Sequence, residues 1–283
     1  MSYNVYAGIL RMMDSFQSSN KIINFRYEYH NSFIELKTKY NLSGIAGNGS
    51  TIIKATNLLK WLSDNVYHDG SSTVQVEDNA LALLEYSFGK GKDFGINCRS
   101  LSITLAECCL ALGLKARAVY IMPFSPYDHD NHVICEVWIP ELKKWIMLDP
   151  TYNTYVMDKS SDILNTYELR TALANREKVT FSKGLNYNGN YNQDKDEITE
   201  YYAKDLFFFS CMEIHTFNSG QLKSNRQLFF VPVGYDVKKS YLINIDYRMK
   251  NFGDSNWLKK RRESTEHKEF ICCPIEELLK SPI

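Results

Sequence analysis

The sequence predicts an α+β fold in which a cysteine-bearing helix packs on an antiparallel sheet. Three observations carry that expectation. After Cys98 the apolar residues recur at helical spacing: Leu101, Leu105, Cys108, Cys109 and Leu112, with Gly113 as a stop. HVICEVWI, from His132, alternates in sidedness and puts His132, Ile134, Glu136 and Trp138 on one face. KKWIMLD then reads as a second strand, stopped at Asp149-Pro150 because proline has no N–H for a ladder.

The elements follow in chain order. Tyr6 to Phe16 carries a short apolar helix signal, and the aromatic run from Ile22 to Ile34 alternates well enough for a strand or hairpin. His30 in that run reads as a solvated strand residue. Thr51 to Tyr67 predicts a helix with Ile52, Ala55, Leu59, Leu62 and Val66 on one stripe, and Trp61, Tyr67 and His68 cluster at its end. Ala80 to Phe88 predicts a second helix. The Gly89-Lys90-Gly91-Lys92 run after it lacks the spacing and trailing hydroxyl of a phosphate loop, so it reads as a connection.

Asn97 is a good N-cap residue, which puts Cys98 in the first turn of the central helix. There the thiol feels the positive end of the helix dipole, and unpaired N–H groups are at hand for an oxyanion. A buried structural cysteine is the bland alternative. Lys115 to Met122 predicts the first core strand. Pro123 to Asn131 reads as a polar loop at a cleft rim; its Asp128, His129 and Asp130 have no second cluster to make a metal site, and His129 is a rival base to His132. A hairpin centred between Pro140 and Glu141 would set His132 directly across from Asp149. A carboxylate so placed can hold one imidazole nitrogen and leave the other for a thiol. Cys98, His132 and Asp149 are therefore the candidate catalytic residues: nucleophile, base and orienter of the base. No substrate-binding residue can be named.

GINCRSLSITLAECCLALGLKARAV followed by NHVICEVWIPELKKWIMLDPTYN resembles the core of the transglutaminase-like superfamily. This group of papain-like thiol enzymes includes transglutaminases, microbial cysteine proteases and peptide:N-glycanases. The positions that match are Cys98, Leu112-Gly113, Arg117, His132-Val133, Trp138, Trp145 and Asp149-Pro150, and the resemblance covers about residues 51 to 157. It implies a papain-like fold with a Cys-His-Asp triad acting on amide or ester carbonyls through a thioester on Cys98. It also implies that a residue upstream of the nucleophile completes the oxyanion hole, without saying which of Trp61, Tyr67 and His68 it is. Arg99 departs from the family pattern by placing a charge beside the nucleophile, which bears on substrate choice. The acyl acceptor is water or an amine. A peptide:N-glycanase-like deglycosylase and an inactive binding module of the same fold are the alternatives; the zinc-binding Cys-x-x-Cys pairs that often accompany the former are missing.

Composition bounds the remainder. The 283 residues carry 33 basic and 33 acidic side chains, a balance that argues against a nucleic-acid or anionic-membrane binder. No long apolar run and no leader-like start is visible, and the seven cysteines form no disulfide or zinc pattern, so a reducing cytoplasm is expected. No cofactor is implied, and the absence of a calcium-loop pattern speaks against that ion. The expected partner is a peptide or protein carrying an amide; oligomeric state is not legible. Three regions are expected: 1–50 as an extension packed on the core, 51–157 as the catalytic core, and 158–283 as an extension of sheet and substrate-shaping loops. Within the last, Ile163 to Ala174 predicts a helix, 182–200 a long surface loop, Gln227 to Pro232 and Tyr241 to Asp246 strands, Lys259 to Arg262 a solvated basic loop, and EFICCPIEELLK a strand and short helix.

Overall fold

The computed structural model describes residues 2–19, 23–73 and 75–282; Ile22, where the strand-like run begins, lies outside them. The N-terminal part is mostly helical: α1 (Ser2–Met12), the two-residue β1 (Arg26–Tyr27), α2 (Ser32–Lys39), α3 (Leu42–Ala46), α4 (Thr51–Asn65), α5 (Ala80–Ser87) and α6 (Cys98–Ala111). The central part gives β2 (Ala116–Met122), β3 (His132–Ile139), β4 (Lys144–Leu148), β5 (Val156–Met157), α7 (Thr166–Ala174), β6 (Thr180–Phe181) and α8 (Lys195–Asp205). The rest gives β7 (Phe208–Met212), β8 (Ile214–His215), β9 (Gln227–Phe230), α9 (Val237–Phe252), α10 (Asn256–His267), β10 (Ile271–Cys272) and α11 (Ile275–Leu279).

The expected architecture is present. Six strands form one sheet in the order β10-β9-β7-β2-β3-β4, antiparallel except where β10 runs parallel to β9. One face carries Ala116, Cys135, Val137, Ile139, Ile146 and Leu148, and α6 lies on it through Leu101, Leu105, Cys108 and Cys109, with α2 to α5 packed outside. Each fully buried aliphatic side chain there contributes about 1.5–3 kcal/mol, which anchors α6 firmly to the sheet. The opposite face carries Val119, Ile121, Ile134 and Met147 under α1, α7 and α8. Asn97 caps α6 as expected, its side chain accepting from Ser100 N–H at 3.0 Å.

Four expectations are corrected. First, the expected strand or hairpin from Ile22 to Ile34 is reduced, among the described residues, to the two-residue strand Arg26–Tyr27 beside β8, and α2 begins at Ser32. Phe33 and Leu36 bury at helical spacing, so that packing overrides the alternation upstream. Second, the expected loop over 182–200 ends at Asp194, and 195–200 is helix. Asp194 caps α8, which starts at Lys195, and Asn188 (φ 51°) with Gly189 (φ 80°) makes a tight Asn-Gly turn between Tyr187 and Asn190. Third, Tyr241 to Asp246 lies inside α9, capped at Asp236; Tyr241 and Ile245 are four apart and face inward as one helix turn. Fourth, Lys259 to Arg262 belongs to α10, capped by Ser255. Among the described residues, no helix is long and apolar enough to cross a membrane.

Candidate active site

The β3–β4 hairpin is two residues out of the expected register. Trp138 pairs with Trp145 and Cys135 with Leu148, with Pro140 to Lys143 forming the turn and Lys143 in the left-handed region at φ 51°. His132 is therefore not directly across from Asp149. A shift of two residues keeps every side chain on its face, so the two remain diagonal neighbours on one side of the sheet. Their contact survives: His132 Nε2 lies 2.7 Å from Asp149 Oδ2. Tyr202, from α8, donates its hydroxyl to the same oxygen at 2.6 Å, and Thr151 N–H donates to Oδ1 at 2.9 Å. Both His132 and Asp149 are buried, walled in by the rings of Tyr152, Tyr201 and Tyr202.

Cys98 opens α6 beside this pair. Its thiol is within hydrogen-bonding reach of the His132 and His68 rings and of Val133 N–H. Nε2 of His132 is engaged by the carboxylate, so Nδ1 is the nitrogen left for the sulfur. Burial raises the Cys98 pKa, but the His132 and His68 hydrogen bonds, the His132 charge and Val133 N–H outweigh it and bring it from 9.0 down to about 6. The partner moves the other way. Burial disfavours a charged ring at His132, yet Asp149 and Cys98 hold its pKa well above the ordinary value. Asp149 is also opposed by burial and held below the usual carboxylate range by His132, Tyr202 and Thr151. These directions favour a thiolate–imidazolium pair backed by an ionised Asp149. Asp205, buried nearby and 3.6 Å from Lys204 Nζ, is pushed well up by burial, against the pull of the Lys204 charge.

Of the three aromatic residues at the end of α4, His68 is the one that reaches the thiol. Its Nδ1 lies 3.0 Å from the Tyr187 hydroxyl, which leaves the buried Nε2 as the ring nitrogen available to the sulfur. The Asn-Gly turn holds it there: Asn188 accepts from His68 N–H at 2.7 Å and donates to its carbonyl at 3.0 Å. In α6, Asn97 takes the N–H groups of Ser100 and Leu101, which leaves those of Cys98 and Arg99 without intrahelical acceptors. Sequence reasoning missed Tyr202, Tyr187 and Asn188. Only the Asn-Gly pair carried a local signal, a turn; no local feature of the sequence ties these residues to a thiol far upstream.

His129 does not approach Cys98 in this way. It stacks on Tyr247 at 5.2 Å between ring centres, at the mouth of the cleft, and Asp128 and Asp130 pair with Lys204 at 3.4 and 3.3 Å. Arg99 is engaged by other side chains: its Nε donates to the Tyr120 hydroxyl at 2.7 Å and its guanidinium pairs with Asp78. From Cys98 a cleft of about 730 Å³ runs over β2 between α6 and α10.

No curated protein matches this chain. Among solved structures, the chain is similar to "a Putative Cysteine Protease from Cytophaga hutchinsonii", at 18% identity over 57% of this chain and 51% of that one, with a TM-score of 0.32. The match thus spans about half the length of that protein. The family model of the transglutaminase-like superfamily matches residues 39–150, starting ahead of the span read from the sequence and ending just after Asp149. The matched span, residues 39–150, holds Cys98, His132 and Asp149 and is similar to the core of that superfamily.

Proposed function

We propose that the protein is a thiol-dependent hydrolase or acyltransferase acting on an amide or ester through a thioester on Cys98. One observation carries the reading: a single carboxylate–imidazole–thiol line, with His132 held at 2.7 Å by Asp149 and the thiol at the N-terminus of α6. The thiolate attacks the carbonyl carbon. The oxyanion that forms accepts from Cys98 N–H and from His68 Nε2–H, a tautomer favoured when Tyr187 donates to Nδ1. His132 gives its proton to the leaving nitrogen or oxygen, that bond breaks, and the thioester remains. Water or an amine then loses a proton to His132, attacks the thioester and expels the thiolate. Asp149 holds the imidazole tautomer and its charge throughout.

Cysteine reactivity tests this directly. With a pKa near 6, about 90% of Cys98 is thiolate at pH 7, against about 1% for a thiol at 9.0. Burial pushes Cys108 and Cys135 well up, and Cys109 and Cys211 up to about 12. Limited iodoacetamide treatment at pH 7, read by peptide mass spectrometry, is expected to label Cys98 first. Equal labelling of several cysteines would remove the basis of the reading.

His68 has its own test. His68→Ala is expected to lower kcat by about 10²–10³ with little change in KM, the cost typical of one lost oxyanion donor. A change in KM alone would assign His68 to binding instead.

A further inference from the structure

The cleft beside Cys98 has two unlike walls. Ile103, Ala106, Glu107 and Leu110 line it from α6, spaced as one helix face. Arg261, Ser264, Thr265 and Lys268 line it from α10 and its C-cap with the same spacing. Cys98 to Leu110 measures about 18 Å along the helix, the reach of roughly five extended residues. The floor is Ala118, Tyr120 and Met122 of β2, with Met212 and Gln227 beyond.

The charges on these walls do not cancel. Arg99 is paired with Asp78, and Arg117 with Glu136. Asp130, at the mouth, is paired with Lys204. Burial pushes Glu107 up to about 8, against donation from the N–H groups of Ala80 and Asn218. Arg261 and Lys268 are different. Among the described residues neither makes an ion pair: Arg261 lies over the Trp257 ring, and Lys268 donates to the neutral Gln227 side chain at 2.7 Å. They also feel each other, for burial and then the Arg261 charge hold the Lys268 pKa down. Two unneutralised cations on one wall of a cleft that ends at a thiol form a place for anions. The chain's zero net charge makes this a local feature and not a general one.

We propose that the cleft binds an extended acidic peptide segment, its carboxylates against Arg261 and Lys268 and its reacting amide at Cys98. The cations sit seven residues apart, about 10 Å along the helix, which suits carboxylates two to four residues apart on an extended chain. This inference rests on the thiol-enzyme reading for the reaction but not for the binding. It also assigns selectivity to α10, outside the span 39–150 that matches the family.

The test uses the full chain carrying Cys98→Ala, so that no chemistry intervenes, and fluorescence anisotropy with two labelled peptides, acetyl-(Ala-Glu)3-amide and acetyl-(Ala-Gln)3-amide. At low salt the Glu peptide is expected to bind about fivefold or more tighter, the yield of two exposed ion pairs. The preference is expected to vanish near 1 M salt, where screening acts within about 3 Å. Arg261→Glu with Lys268→Glu is expected to invert it, and Arg261→Gln with Lys268→Gln to erase it; both residues reach solvent, and an unchanged thermal melt of each pair is the check that the fold is intact. Equal binding of the two peptides, a preference that survives charge reversal, or tighter binding of an oligonucleotide of equal charge would overturn the proposal. Iodoacetamide labelling of Cys98 in the unsubstituted chain reports separately on the thiol.

Discussion

His132→Ala is expected to slow alkylation of Cys98 at pH 7 by about tenfold to a hundredfold. In the unsubstituted protein the rate should rise through pH 6 and level off above it, because Cys98 titrates near 6. The sign follows from the direction of the shift: a depressed thiol pKa means that the reactive anion persists down to that pKa and is lost only below it. Removing the ring removes a hydrogen bond and a positive charge from the thiolate, so the rise moves toward the ordinary thiol range. Turnover should fall further, by about 10⁴ or more, since the same ring must protonate the leaving group. Asp149→Asn is expected to act in the same direction through the tautomer and charge of His132, with smaller effect on alkylation than on turnover. An alkylation profile unchanged by His132→Ala, in a protein whose thermal melt is also unchanged, would separate the imidazole from the thiol and end the assignment.

Glu136→Ala is expected to destabilise the fold by about 3–5 kcal/mol, the usual cost of leaving one charge of a buried pair alone. Glu136 is fully buried under the sheet. Its Oε2 accepts from Arg117 Nη2 at 2.6 Å and Nε at 3.0 Å, and its Oε1 accepts from Thr166 N–H and hydroxyl at 3.0 and 2.7 Å. Arg117 is equally buried, 3.9 Å over the Trp145 ring, and donates to the Leu278 carbonyl at 2.5 Å. The pair thus ties β2 and β3 to the start of α7 and to α11. Replacing both charges together, Arg117→Met with Glu136→Leu, is expected to recover most of the loss, because no charge is then left without a partner. Urea unfolding followed by circular dichroism reads both. A double variant no better than Glu136→Ala would mean that the bonds to Thr166 and Leu278, and not the ion pair, carry the effect.

The local chemistry of this protein is written in short stretches of its chain. Asn97, the apolar spacing after Cys98 and Gly113 define α6, and the thiol's place in its first turn follows from the caps alone. The alternation in HVICEVWI put His132 and Glu136 on one face, and Pro150 ended the strand that leads to Asp149. These are short-range properties, set by φ/ψ preferences and by side-chain period. The register of the hairpin was not among them: turn length fixes it, and a Pro140 to Lys143 turn with Lys143 at positive φ moved it by two residues. An even slip left the same side chains on the same face, which is why His132 and Asp149 meet even so.

What surrounds the thiol is set by long-range packing. His68 reaches it because Asn188, 120 residues later, clamps the His68 backbone on both sides. Tyr202 secures Asp149 from α8, and α10 supplies a cationic wall from a run that reads, by local pattern, as solvated loop. Such contacts carry no periodicity in the chain. They arise when helices outside the matched span cover the ends of a sheet, and the burial that brings them there is a property of the whole fold.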